Sequence, residues 1–290
     1  RDDVESRGLG DVYKRQYQTY VRDYGENKVY KIACGPNGAD YDWTDKVMEI
    51  AGEYMDALTL HYYTVPTGKW QDKGAATGFP KEEYYATLKK ALRMEELVRK
   101  HAQIMERHDP AHRVGLIVDE WGTWYNVEPG TNPGFLYQQN TMRDAMVAAL
   151  TLNIFNAHSD RVVMANLAQM VNVLQAVILT EGEKLVLTPT YHVFDLYKHH
   201  QDAVLLGSYA ETGLVGTEGD LVPDLSVSAS EDGSGVIHVT LANTDAEKPR
   251  PVELTLEGRT CAGAEGRILD VGCGPGGSVR HLRQQGRQVW

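Results

Sequence analysis

The residues best suited to chemistry in this sequence are two adjacent acids, Asp119 and Glu120. They follow the apolar run Gly115–Val118 and precede a cluster of aromatic residues that begins at Trp121. The apolar run predicts a strand buried on both faces, as in a parallel sheet. In a barrel of parallel strands, catalytic residues lie at the carboxyl ends of the strands. A carboxylate buried beside tryptophan is costly unless it is hydrogen-bonded, so this position suits a reactive acid. A structural salt bridge at a strand end is the alternative interpretation.

A second chemically useful pair, His61 and Tyr63, ends another short apolar run, Ala57–Leu60. A lone histidine at such a position is usually structural. Because both runs are predicted strands of one parallel sheet, their carboxyl ends fall on the same rim, and His61 is expected near Glu120. Trp70 follows in a polar, Gly-rich loop. It is either a sugar platform or a loop anchor, and the anchor is the favoured interpretation.

Strand and helix signals alternate over the first two thirds of the sequence. The predicted strands are Val29–Gly35, Ala57–Leu60, Val114–Val118 and Arg161–Ala165. The predicted helices are Asp42–Met55, one long helix from Pro80 to His108, and an amphipathic helix over Thr141–Phe155. Val171–Leu179 is apolar, and its periodicity does not separate strand from helix. The alternation indicates βαβ units, whose right-handed crossovers bring the strand ends to one face.

From about Ala203 the pattern changes to alternating apolar and polar residues, which predicts an antiparallel β-sandwich. Its predicted strands are Ala203–Tyr209, Val222–Ser230, Gly235–Ala242 and Pro251–Glu257. A helix over Tyr191–His200 is expected to bridge the two parts. The run Lys198-His199-His200 could suggest metal binding. Adjacent residues do not share a helix face, however, so a solvated helix end is predicted.

Composition limits the classes of function. The net charge of −11 argues against a nucleic-acid partner, because phosphate binding needs a cationic face. No apolar run is long enough to span a membrane, and no signal peptide is visible. Three cysteines, Cys34, Cys261 and Cys273, have no paired spacing, so neither a disulfide framework nor a zinc site is expected. Cys34 is predicted to be a buried, inert thiol, and no metal or cofactor is expected.

Four separate motifs together carry a family resemblance. They are Asp119-Glu120-Trp121-Gly122 with Trp124-Tyr125, Leu60-His61-Tyr62-Tyr63, Ala165–Asn172 and Thr188-Pro189-Thr190-Tyr191-His192. In this order they resemble glycoside hydrolase family 51, the retaining α-L-arabinofuranosidases, from about residue 29 to about 269. The resemblance implies strands five to eight of a (β/α)8 barrel followed by a β-sandwich. It also implies a cytoplasmic enzyme, homo-oligomeric and without a cofactor, that acts on arabinofuranosides of arabinan or arabinoxylan.

The same resemblance assigns roles to individual residues. It implies that Glu120 is the nucleophile, and that His61 and Tyr63 orient it and line the arabinose subsite. Trp124 is similar to the hydrophobic wall of that subsite, and Gln169 is similar to a residue that contacts a sugar hydroxyl. Each of the last two has a structural alternative, Trp124 as a core residue and Gln169 as a polar group at a helix N-terminus.

The family's general acid/base is expected in a Gly-Asn-Glu segment, which this sequence does not contain. Gly25-Glu26-Asn27 has the composition in the wrong order. The expectation is therefore a fragment that starts after the acid/base and is itself inactive. The predicted division is an unstructured cloning scar at 1–16, a partial barrel at 17–200, a truncated sandwich at 201–268 and a foreign tail at 269–290.

The tail carries a glycine-rich motif of its own. The segment Arg267–Gly277 resembles motif I of S-adenosylmethionine-dependent methyltransferases, a strand followed by a glycine loop. Only about a dozen residues follow it, so the rest of a doubly wound sheet is missing and a chimeric join is expected. Two alternatives to the arabinofuranosidase fragment remain at this stage. One is a non-catalytic carbohydrate-binding fragment, and the other is a methyltransferase.

Overall fold

The fold consists of a parallel α/β part followed by an antiparallel part. The structure, a computed structural model, describes residues 29–258 and Gly263. The strands are β1 Ile32–Ala33, β2 Ala57–Thr64, β3 Gly115–Thr123, β4 Val162–Leu167, β5 Ile178–Glu181, β6 Lys184–Leu187, β7 Val204–Leu206, β8 Leu214–Thr217, β9 Asp220–Pro223, β10 Leu225–Glu231 and β11 Ile237–Asn243. The α-helices are α1 Tyr41–Ala51, α2 Lys81–Ala91, α3 Arg93–His108, α4 Met142–Ala157 and α5 Pro189–Tyr197. The predicted scar at 1–16, the tail at 269–290, Cys261 and Cys273 lie outside the described residues.

Strands β1 to β4 form one parallel sheet in chain order. Ala57 of β2 pairs with Ile32 on one side and with Gly115 of β3 on the other, and Leu116 of β3 pairs with Val162 of β4. Helices α1 to α4 occupy the connections between these strands. The arrangement agrees with the half-barrel, strands five to eight of a (β/α)8 barrel, that the family resemblance implied.

The apolar runs in the strands form the core of this half-barrel. Leu116, Ile117 and Val118 are at most 1% exposed, which fits a strand covered on both faces. Ala33 at the end of β1 packs against the same core. Side chains alternate along an extended chain, so the next residue, Cys34, faces outward and is exposed. The prediction of a buried cysteine was wrong for that reason.

Two helix predictions need correction. The long helix is two helices, α2 and α3, separated at Leu92, and Pro80 is the N-cap residue of α2 rather than part of its first turn. Helix α4 begins with a capping box between Thr141 and Asp144. It is not amphipathic but buried on most sides, because it lies between the parallel sheet, α2 and the antiparallel part.

The antiparallel β-sandwich part is built around β10. This strand pairs with β11 on one side and with β7 on the other. The hairpin β8–β9 packs on α2, and the hairpin β5–β6 is a separate element that precedes α5. The predicted strand Val222–Ser230 is divided at Asp224, whose buried carboxylate accepts the backbone N–H of Gly213 at 3.1 Å. Pro251–Glu257 is not a strand, which contradicts the prediction. The ambiguous segment Val171–Leu179 is mostly irregular, and β5 begins at Ile178.

His200 joins the two parts. The 3-10 turn Lys198–His200 follows α5 and brings the His200 ring against β10 and β11. Its Nδ1 lies 2.7 Å from Oγ of Ser230, and its Nε2 lies 3.0 Å from Oγ1 of Thr240. The prediction that this helix end is merely solvated was wrong for His200, because the antiparallel sheet packs on it.

Candidate active site

A bulge in β3 places two acids beside one histidine. Thr59 of β2 pairs with Ile117, whereas His61 pairs with Glu120, so β3 carries one extra residue in this interval. A regular strand points successive side chains to opposite faces, and an extra residue breaks that alternation. Asp119 and Glu120 therefore both reach the His61 ring. All three residues lie inside the long strands β2 and β3 rather than after them.

The Glu120 carboxylate is held through one of its oxygens. The hydroxyl of Tyr63 donates to Oε2 at 3.0 Å, and Nδ1 of His61 lies 3.4 Å from the same atom. The other ring nitrogen of His61 is 3.0 Å from Oδ1 of Asp119, a close contact without hydrogen-bond alignment. The Glu120 side chain is 44% exposed, so an outside molecule can reach it.

Tyr63 is a permanent donor to this carboxylate. Burial raises the pKa of its phenol well above the ordinary value of 10, and the negative charge of Glu120 raises it further. The hydroxyl therefore keeps its proton across the physiological range. A charge-assisted hydrogen bond of this kind fixes the carboxylate in one orientation.

Aromatic rings continue outward from Tyr63. The Trp124 ring packs edge-on against Tyr63 with a centroid distance of 4.9 Å, and Trp70 packs edge-on against Trp124 at the same distance. Nζ of Lys73 lies 4.9 Å from the Trp70 centroid and 5.6 Å from that of Trp124. Trp124 is half-buried at the rim of the sheet, so it lines the site rather than filling the core.

A buried polar network lies next to the segment that carries Trp124. The hydroxyl of Tyr125 donates to Oδ1 of Asp144 at 2.8 Å, and burial raises the pKa values of both groups. The Arg143 side chain has no exposed surface and bonds Oε1 of Glu83 at 2.8 Å. The guanidinium lies 3.6 Å from the Phe79 ring centre, so the charge is enclosed by one carboxylate and aromatic faces. The sequence pattern does not predict this network, because its members are dispersed along the chain.

Two buried amides fix the segment that carries Trp124. Oε1 of Gln175 accepts the backbone N–H of Thr123 at 2.9 Å, and Oε1 of Gln138 accepts that of Tyr125 at 3.1 Å. Gly122 has φ of +131°, and a Cβ there would lie 3.1 Å from Oε1 of Gln175. Glycine is therefore required both by the backbone conformation and by the close approach of Gln175. Gly122, Trp124 and Tyr125 belong to a sequence motif, whereas the two glutamines do not.

Gln169 follows the strand that pairs with the Glu120 strand, and the backbone N–H of the preceding Ala168 donates to the Trp121 carbonyl at 2.9 Å. It follows β4, is exposed, and lines an open cleft of about 880 Å³ with Leu136, Tyr137 and Asn172. It is not at a helix N-terminus, so the structural alternative from the sequence is wrong. Within the described part of the chain, its side chain makes no hydrogen bond to His61, Tyr63 or Glu120.

The described residues were also searched for metal sites and for membrane-spanning helices. Across 29–258 and Gly263, no three or more His, Cys, Asp or Glu side chains gather into a possible metal site. In the same residues, a search for helices with the length and hydropathy of a bilayer span finds none.

Comparison with known proteins gives consistent matches. The family model described as the alpha-L-arabinofuranosidase C-terminal domain matches residues 119–273. An intracellular exo-alpha-L-arabinofuranosidase of Bacteroides ovatus is 47% identical over 260 residues, 89% of this chain and 50% of the relative. The crystal structure of the GH51 arabinofuranosidase from Xanthomonas axonopodis pv. citri aligns with a TM-score of 0.79 and 49% identity, over 84% of this chain and 49% of that one. The chain thus spans about half the length of these relatives.

Proposed function

Because the chain belongs to the glycoside hydrolase family 51 arabinofuranosidases, as part of their C-terminal half, we propose that it supplies the nucleophile side of a retaining arabinofuranosidase site. Glu120 is the proposed nucleophile. The observation that carries this assignment is the position of its carboxylate, accessible on a barrel strand and held through Oε2 by Tyr63 and His61.

In the proposed reaction, Oε1 of Glu120 attacks the anomeric carbon of a terminal α-L-arabinofuranosyl residue. The bond from that carbon to the leaving oxygen breaks, and a glycosyl ester forms on Glu120. Water then attacks the same carbon and frees the carboxylate, so the configuration is retained. Tyr63 and His61 act as positioning residues on Oε2. Trp124 is the proposed hydrophobic wall of the arabinose subsite, and Gln169 is the proposed contact for a sugar hydroxyl.

The leaving oxygen needs a proton from a second carboxyl group, about 5–5.5 Å from the first in retaining enzymes. The 290 residues contain no Gly-Asn-Glu segment. We therefore place the acid/base outside these residues, in the amino-terminal half that the longer relatives possess. On this proposal the 290-residue chain has no turnover of its own.

The division into a partial barrel at 17–200, a sandwich at 201–268 and a separate tail at 269–290 is part of the same proposal, although the family match runs to residue 273.

The substrate class follows from the relatives' names. The Streptomyces lividans relative is named as an intracellular exo-alpha-(1->5)-L-arabinofuranosidase, and one from Bifidobacterium longum as an exo-alpha-(1->6)-L-arabinofuranosidase. We propose terminal arabinofuranosides of arabinan or arabinoxylan type as substrates, and an intracellular, cytoplasmic location. These two names differ in linkage, so the linkage depends on contacts beyond the arabinose itself.

The test uses a family-length protein, defined here as this chain preceded by the amino-terminal half of the Bacteroides ovatus relative. Glu120→Ala should lower kcat at least on the order of 10³-fold. Added azide should restore turnover of an activated arabinofuranoside and give the azide product of inverted configuration. Glu120→Gln keeps the shape without the charge and should be equally inactive. A rescued product of retained configuration would make Glu120 the acid/base and refute the assignment.

A further inference from the structure

Trp70 and Lys73 lie beside Trp124, which in turn contacts Tyr63 of the Glu120 site. Resting on the function proposed above, we propose that Trp70 and Lys73 form a platform for the leaving-group sugar, and that this pair determines which glycosides the site accepts. The ligand class is a neutral oligosaccharide, whose second sugar would lie beside Trp70 while the terminal arabinose lies beside Tyr63 and Trp124.

Three aromatic rings in successive contact connect Trp70 to the Glu120 carboxylate. Tyr63 contacts the carboxylate, Trp124 contacts Tyr63, and Trp70 contacts Trp124. Each outer ring is 4.9 Å from Trp124, so the Tyr63 and Trp70 centroids are at most twice that distance apart. The three rings therefore form one contiguous aromatic surface that begins at the Glu120 carboxylate. Trp70 is 53% exposed, more than a loop anchor requires.

The loop that carries Trp70 and Lys73 is held in a fixed position by hydrogen bonds. The backbone N–H of Asn126 donates to the Gly74 carbonyl at 2.9 Å, and Oδ1 of Asn126 accepts the N–H of Lys73 at 2.8 Å. Buried Arg143 donates to the carbonyl of Ala75 at 2.7 Å. The loop is thus tied to the segment after Trp124, so Trp70 is exposed on an ordered support. Binding to such a preorganised ring loses little conformational entropy.

Lys73 places a positive charge beside the two indole rings. Its ammonium lies over both indoles, and no carboxylate of the described residues is within ion-pair distance of it. An ammonium has three donors and no acceptor. Donors at the edge of an aromatic face suit a neutral sugar, which offers C–H groups to the ring and hydroxyl oxygens to the cation. A loop anchor would need the indole alone and would not need beside it a cation that has no carboxylate partner among residues 29–258.

The experiment compares two substrates in the family-length protein. Arabinobiose carries a second sugar, whereas methyl α-L-arabinofuranoside has a leaving group too small to reach Trp70. Trp70→Ala and Lys73→Met should each lower the ratio of kcat/KM for arabinobiose over the methyl glycoside, by about 10- to 100-fold for the tryptophan. Trp70→Phe and Lys73→Arg keep a ring and a charge and should recover most of that ratio.

Activity on the methyl glycoside separates the possible failures. An unchanged ratio in Trp70→Ala, or equal losses on both substrates, would overturn the platform and make Trp70 a structural anchor. If the unsubstituted protein cleaves neither substrate, the proposed function itself fails. Loss in Trp70→Ala without recovery in Trp70→Phe would also count against ring stacking, because both rings present an apolar face.

Discussion

Lowering the pH should weaken the junction between the parallel and antiparallel parts through His200. The ring is half-buried between Ser230 and Thr240, and burial lowers the pKa of His200 from 6.5 to about 4. Electrostatic repulsion from His238 and His199 lowers the pKa of His200 in the same direction. Nε2 of His238 lies 2.7 Å from Oδ2 of Asp232.

The sign of the effect follows from proton binding. Because the pKa of His200 is lower in the folded state, the unfolded chain binds more protons between about pH 4 and 6.5. The contribution of His200 to stability is therefore complete above pH 6.5 and is lost as the pH falls toward 4. The full shift corresponds to about 3 kcal/mol. Part of the ring contacts solvent, and screening reduces the expected loss to about 1–2 kcal/mol.

The assay is urea unfolding of the family-length protein and its His200→Gln variant at several pH values from 4.5 to 7.5. Glutamine keeps a donor and an acceptor but does not titrate. The difference in unfolding free energy between the two proteins should shrink by about 1–2 kcal/mol toward the acid end. His192→Gln, on the exposed surface of α5, is the matched control. A difference that is constant with pH, or an equal trend in the control, would refute the argument.

Three further predictions concern the site and the sheet edge. Tyr63→Phe should lower kcat/KM by about 10- to 100-fold in the family-length protein, because hydrogen bonds to a charged group contribute about 1.5–3 kcal/mol. A loss below threefold would show that the hydroxyl does not position Glu120. Arg143→Met should destabilise the fold by about 3 kcal/mol in denaturant titrations, because it leaves Glu83 unpaired, whereas exposed Arg99→Met should change stability little. The 290-residue chain alone should self-associate in size-exclusion chromatography through the edge strand β4, where Val163 is 53% exposed, and should show no arabinofuranosidase turnover. A monomer with ordinary turnover would mean that another acid, such as Glu128, donates the proton.

Local patterns in the sequence were sufficient to predict the main elements. Apolar runs and glycine turns predicted all four parallel strands, and Thr141 marked the start of α4. Strand ends in a parallel sheet share one rim, so the sequence could also predict that His61 and Glu120 lie close together. These features depend on residues adjacent in the chain or on a topology rule, and both can be evaluated without coordinates.

Tertiary structure decided the features that depend on distant partners. The bulge that turns Asp119 toward His61 is a property of strand register, which no local pattern encodes. Gln138 and Gln175 are ordinary polar residues in the sequence, and only the folded chain shows the backbone groups they satisfy. The burial of Arg143 requires Glu83 and Phe79, which precede it by some 60 residues, and His200 becomes buried only because β10 and β11 pack on it. In each case the environment of the side chain, rather than its type, sets its role, and that environment forms only when distant segments come together.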